Sequence, residues 1–215
     1  MKQYRYLLFD MDGTLVYSHP GIFACLKEAL ANMGRTPPGD DVLSTCIGPP
    51  LSHTFSCFFG FNREETARAT EYYFAAYERI GWKQTAPVEG MQEALKTLKR
   101  AGYVLAVATS KSQGFAEKIV RLHGLGDLFS TVVGSGRDGS LSTKAQVIEE
   151  AIRRLGAEKA ECLMIGDRKQ DLAGARDCGI DSVGLDVGYA VSDELSLENP
   201  TYYAKNYAQL RALLT

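Results

Sequence analysis

Residues 6–15 read Tyr6-Leu7-Leu8-Phe9-Asp10-Met11-Asp12-Gly13-Thr14-Leu15. An apolar run stops abruptly at two acids and a glycine. A short apolar run without clean alternation is the pattern of a strand buried on both faces, as in a parallel sheet. Asp10 and Asp12 then fall just past the C-terminal end of that strand, where open α/β sheets bind ligands. Gly13 lets the chain turn sharply. An isolated D-x-D-G is no more than an acidic turn, so its meaning depends on the other strand ends.

After Gly90 the chain alternates strand and helix. Met91, Ala94, Leu95, Leu98 and Ala101 follow helical spacing, and Gly102 ends that helix. Tyr103–Ala108 reads as a strand followed by a helix to about His123, and Thr131–Gly134 as a short strand. Ala145, Ile148, Ile152 and Leu155 mark a helix. Cys162–Ile165 reads as a strand, Gln170–Cys178 as a helix and Asp181–Leu185 as a strand; Tyr207, Leu210 and Leu214 mark a last helix. Such alternation implies right-handed crossovers and a parallel sheet covered on both faces, an α/β fold.

Residues 16–87 differ. Their period is helical, with no convincing strand. Pro20 opens one helix that Asn32-Met33-Gly34 closes, and Thr36-Pro37-Pro38-Gly39 is a loop. Pro49-Pro50 starts another helix, containing Leu51, Phe55 and Phe58-Phe59. Asn62 with Glu65 makes a capping-box pattern for a third, with Tyr73, Phe74, Tyr77 and Ile80 on one face, and 81–87 is a linker. This stretch is too long for a connecting loop and predicts a separate helical module, with the domains divided as 1–15 plus 88–215 and 16–87.

Composition excludes several classes. With 24 basic and 26 acidic residues (net −2), 45% apolar and 23% charged residues among 215, the chain is neither disordered nor fibrous, and it has no electrostatic footprint for nucleic acid. No apolar run is long enough to span a membrane, and Asp10 and Asp12 interrupt the only early one, so the N-terminus does not read as a signal peptide. Five scattered cysteines with no C-x-x-C pair read as reduced thiols of a cytoplasmic protein.

Three strand ends carry the chemistry. The first has Asp10 and Asp12. The second has Thr109-Ser110-Lys111, hydroxyls placed where a strand meets a helix N-terminus, which suits an anion. The fourth has Gly166-Asp167…Asp171, two acids four apart on one side of a helix start. Lys144 opens the helix before that strand. Up to four carboxylates would share one pocket, and like charges so close need a cation. Carboxylate oxygens without His or Cys favour Mg²⁺, which is the cofactor expected.

In order and spacing, Asp10-Met11-Asp12-Gly13-Thr14-Leu15, Thr109, Lys144 and Gly166-Asp167…Asp171 resemble the four motifs of the haloacid dehalogenase-like phosphohydrolases, over nearly the whole chain. The text around Ile47-Gly48-Pro49-Pro50-Leu51, Ala108-Thr109-Ser110-Lys111 and Gly166-Asp167-Arg168 looks most like the phosphoglycolate phosphatase-like and 5′-nucleotidase-like branch. The resemblance implies a doubly wound five-stranded sheet in the order 3-2-1-4-5, with a helical cap that hinges near 16–19 and 81–88. It implies Asp10 as nucleophile and Asp12 as general acid and base. Thr109, Ser110 and Lys144 would bind phosphate. Asp10, the Asp12 backbone carbonyl and Asp167 would bind the metal, with Asp171 as a further or outer ligand. Asp12 argues against dehalogenation, because a halide needs no proton.

Tyr17 stands where this family's pattern usually has Asp, and Ser110 where many relatives have Asn. The expected activity is hydrolysis of a small phosphorylated metabolite by a monomer or weak dimer, with phosphoglycolate first and a nucleoside monophosphate second. A β-phosphoglucomutase-like phosphomutase and a non-catalytic phospho-accepting regulatory domain are the competing readings. The literal G-x-G-x-x-G at Gly134–Gly139 follows the third strand and lacks a helix opening on its last glycine, which argues against a dinucleotide site. In the helical module His19, Arg35, His53 and Lys83 are candidates for contact with the rest of a substrate, weighed against plain structural roles.

Overall fold

The computed structural model describes residues 3–191 and 193–215. The strands in chain order are β1 (Tyr6–Phe9), β2 (Val16–Tyr17), β3 (Ala86–Pro87), β4 (Val104–Ser112), β5 (Phe129–Ser135), β6 (Cys162–Gly166), β7 (Asp181–Leu185) and β8 (Tyr202–Ala204). Six of them form a sheet in the order β5-β4-β1-β6-β7-β8, every neighbouring pair parallel. Its first five members are the expected 3-2-1-4-5 arrangement. The sixth, β8, was not anticipated. Three residues behind Asn199-Pro200 are too few to show an alternation, and only pairing with β7 makes them a strand.

The chain forms two compact units by its contacts, one from residues up to 17 with 87–215, the other from 18–86. The second contains α1 (His19–Asn32), α2 (Asp40–Ser44), α3 (Leu51–His53) and α4 (Arg63–Arg79). Pro20 sits in the first turn of α1, and Asn62 and Glu65 cap α4 reciprocally at 3.0 and 2.9 Å. Two sequence expectations need correction here. The helix expected from Pro49-Pro50 is only one turn, α3, and passes into a wide π turn at Thr54–Phe58. The region read as strand-free is bordered by β2 and β3, which pair with each other. Within this unit Phe55 stacks on Phe61 and Tyr73 on Tyr77, so these aromatics form its own core. Phe58, by contrast, is exposed.

The remaining helices are α5 (Met91–Arg100), α6 (Gln113–Leu122), α7 (Lys144–Leu155), α8 (Lys169–Cys178), α9 (Glu194–Leu197) and α10 (Tyr207–Leu214). Tyr6 and Leu8 point to a core cluster containing Val147, Ile148, Ala151 and Ile152 of α7 and Ala175 and Cys178 of α8. Leu7 and Phe9, on the opposite face, are fully buried as well. Both faces of β1 are therefore apolar, which accounts for the unbroken run 6–9. Among the described residues no helix is long and apolar enough to cross a membrane, and none of the five cysteines forms a disulfide.

Candidate active site

Register sets the level of the site. Phe9 is paired with Val107 of β4 on one side and Ile165 of β6 on the other. Asp10, Ala108 and Gly166 therefore come next at one height, at the C-terminal edge where the chain order reverses. The Asp10 N–H continues the ladder to the Ile165 carbonyl at 3.0 Å. The chain then doubles back, with Leu15 and Val16 N–H groups both bonded to the Met11 carbonyl. Gly13 has φ +90°, and a Cβ there would lie 2.1 Å from Asp167 Oδ2, so both conformation and space demand glycine.

Asp10, Asp167 and Asp171 are brought together, their carboxylate oxygens within 4.8 Å of one another. Lys144, the first residue of α7, is held there by the capping pair Thr143 and Gln146. Its buried ammonium lies 2.6 Å from Asp10 Oδ1 and 2.7 Å from Asp171 Oδ1, and it also donates to the Ala108 carbonyl at 3.2 Å. Burial works against that charge, but Asp10 and then Asp171 outweigh it and raise the Lys144 pKa above the ordinary lysine range. Asp171 accepts the Arg168 N–H on Oδ2, and burial pushes its pKa up to about 6 despite Lys144. Asp167 accepts the Thr14 hydroxyl and the Tyr189 N–H, each at 2.7 Å. Burial, then Asp171 and Asp10, hold its pKa well above the usual carboxylate value.

Were the three carboxylates all ionised, one ammonium would face three negative charges in a buried space. A hard divalent cation suits this oxygen-only donor set and would compete with protons for these carboxylates.

Asp12 is a different case. Its side chain stays out of the acidic group and pairs with Lys111, Nζ to Oδ2 2.9 Å, while Oδ1 is buried without a hydrogen-bond partner. Thr109 is buried, and its hydroxyl accepts the Lys111 N–H at 3.2 Å. The Ser110 carbonyl accepts the Ser135 hydroxyl at 2.8 Å. The strand here does not end at Ala108 as expected. β4 runs on to Ser112 through a register break, and α6 begins only at Gln113, so Thr109 and Ser110 lie on an irregular strand end rather than at a helix start. Tyr17, where an Asp was usual, donates its hydroxyl to the Val187 carbonyl at 3.0 Å.

The G-x-G-x-x-G segment is a turn in which Asp138 accepts from Ser140, and α7 starts only at Lys144. Its last glycine opens no helix. His19 and His53 pack on Phe23 and Phe58, Arg35 lies over Phe61 and Lys83 over Trp82, all inside the helical unit.

Several supporting residues carried no role in the sequence reading. Lys111 adjoins the hydroxyl pair and its charge was a usable signal. Thr14 sits inside the quoted first motif. Tyr189 contributes a backbone N–H, which any residue type but proline supplies, so nothing in the sequence marks it. Tyr207, from α10, donates to the Thr14 carbonyl at 2.7 Å and arrives from the far end of the chain.

Residues 7–185 match the family model of the haloacid dehalogenase-like hydrolases. A 5′-nucleotidase of Pseudomonas aeruginosa is 35% identical over 212 residues, 99% of this chain and 96% of its own. The tyrosine-protein kinase PtkA of Mycobacterium tuberculosis is 34% identical over 97% of this chain and 72% of its own length. The crystal structure of a predicted phosphatase from Clostridium acetobutylicum superposes with a TM-score of 0.95 at 32% identity, covering 99% of this chain and 98% of that one. Further relatives are named phosphoglycolate phosphatase and pyrophosphatase PpaX. With its motifs assembled in this geometry and matched over most of its length, the chain belongs to the haloacid dehalogenase-like hydrolases and is a phosphatase among them.

Proposed function

We propose that this protein is a Mg²⁺-dependent phosphatase that hydrolyses a small phosphate monoester through an aspartyl-phosphate on Asp10. The observation that carries the reading is the buried, unpartnered Oδ1 of Asp12, two residues after the buried Asp10. A buried carboxylate oxygen without a hydrogen-bond partner is costly, and a catalytic role is one of the reasons such an atom persists.

Asp10 attacks phosphorus, and Lys144 on its Oδ1 fixes the direction of the carboxylate. The bond from phosphorus to the leaving oxygen breaks, and that oxygen takes a proton from Asp12. In the second step Asp12 takes the proton back from water, whose oxygen attacks phosphorus and releases Asp10. Thr109, Ser110 and Lys144 hold the phosphoryl oxygens, on which transition-state charge is spread. Asp10, Asp167 and Asp171, with the Asp12 carbonyl, would hold Mg²⁺, which supplies neutralisation of that charge. The Asp12 proton is what a phosphate ester needs and a halide does not.

Two substrate classes are proposed. Phosphoglycolate follows from the motif text, and a nucleoside monophosphate is favoured by the 35%-identical relative named 5′-nucleotidase. The same reading gives a cytoplasmic enzyme, a monomer or weak dimer, acting on a free metabolite. The test is inorganic phosphate release from a panel of small monoesters, in Mg²⁺ and in EDTA, with Asp10→Asn as the blank. Metal-dependent release that falls by roughly four or more orders of magnitude in Asp10→Asn is expected, and the ranking of kcat/KM separates the two substrates. Substrate loss without phosphate release would favour the phosphomutase. A phosphoenzyme that persists without turnover would favour a phospho-accepting domain.

A further inference from the structure

Arg168 lies between two of the acids and has no part in the chemistry above. Its side chain is nearly as buried as the acids, and so is that of Glu194, at 8% and 7% exposure. Glu194 Oε1 accepts from Arg168 Nε at 2.8 Å and from the Lys169 N–H at 2.7 Å, and Oε2 accepts from the Val191 N–H at 3.4 Å. One carboxylate from α9 thus ties together two segments that each hold an acid of the site. The first is the turn 167–169, whose Arg168 N–H orients Asp171 Oδ2 at 3.0 Å. The second is the loop after β7, whose Tyr189 N–H orients Asp167 Oδ2.

We propose that Glu194 is a positioning residue for the metal-binding carboxylates: through Arg168, Lys169 and Val191 it holds the turn and the loop that aim Asp171 and Asp167 at one ion. This rests on the Mg²⁺ reading above. Two physical effects support it. Lys169 is the first residue of α8, so its N–H has no partner within the helix and Glu194 supplies one. The glutamate also neutralises a guanidinium that would otherwise repel a cation from the neighbouring acids. Partners that orient metal ligands in this way are typically worth about 10–100-fold in metal affinity.

The experiment is calorimetric titration of the full chain with MgCl₂ alone, without substrate, after circular dichroism confirms folding. Glu194→Gln keeps the shape and removes the charge, and its Mg²⁺ Kd is expected to weaken about tenfold or more. Glu194→Asp keeps the charge but is one methylene shorter, and is expected to lie between the two. It also decides the question if Glu194→Gln does not fold. Glu198→Gln is the control. Glu198 pairs with Arg176 further along α8, at 2.8 Å in a more exposed place, and its loss should leave Mg²⁺ affinity unchanged. Unchanged affinity in both Glu194 variants overturns the proposal, as does an equal weakening in Glu198→Gln. A wild type that binds no Mg²⁺, behaving like Asp167→Asn, overturns the metal reading itself and this inference with it.

Discussion

Lys144 and Lys111 are both buried lysines paired with acids of the first motif, yet their surroundings differ. Lys144 bridges Asp10 and Asp171 and faces a third carboxylate in Asp167, so its group has surplus negative charge. Lys111 meets Asp12 outside that group, and one Asp12 oxygen is left without a partner. The difference separates two kinds of work within a few residues of chain. Surplus negative charge among buried oxygens is a place for a metal ion. A single carboxylate with one satisfied and one free oxygen is a place for a proton.

The largest effect that tests this contrast is Lys144→Met. It leaves buried carboxylates without their cation, and such a loss typically costs about 3–5 kcal/mol. Urea denaturation in EDTA should show it. Asp167→Asn should do the reverse, raising the melting temperature in EDTA while abolishing Mg²⁺ binding. If both variants melt like the wild type, the cluster carries no surplus charge. On the other side, Asp12→Asn should lower kcat by about 10²–10⁴-fold, as expected for a general acid and base, with Mg²⁺ binding unchanged. A loss of Mg²⁺ binding in that variant would merge the two regions into one.

The smallest effect is a pH dependence. Asp171 binds its proton more tightly folded, near pH 6, than its ordinary value of 3.8, and Asp167 shifts in the same direction. The folded state then holds more protons than the unfolded one in that window. Metal-free stability from Asp171 is therefore present at low pH and lost as pH rises from about 4 to 6, and Asp167 contributes with the same sign. Mg²⁺ must displace those protons, so the rise in melting temperature on adding Mg²⁺ should grow over the same interval. A Mg²⁺ increment that is flat with pH would show that the acids are already ionised in the metal-free protein.

Legibility in the sequence followed how local the cause was. β1 was readable because burial on both faces leaves an unbroken apolar run. The cap of α4 was readable because Asn62 and Glu65 are three residues apart. β8, α2 and the π turn at 54–58 were not, since each is too short for a period to show. Nor was the register break in β4 that carries Thr109 and Ser110 past the expected strand end, because it depends on pairing with β5.

By itself, then, the sequence determined the parallel α/β core, the family and the identity of the acids, the lysine and the hydroxyls proposed for the chemistry. These are matters of residue type and short spacing. Only the tertiary structure decided that Asp12 stands apart with Lys111, that Asp167 takes its hydrogen bonds from Thr14 and the Tyr189 backbone, and that Glu194 braces Arg168. Those partners lie 22 to 153 residues apart, and the Tyr189 contact uses a backbone group common to nearly all residues. No local pattern encodes such meetings; the register of the sheet brings them about.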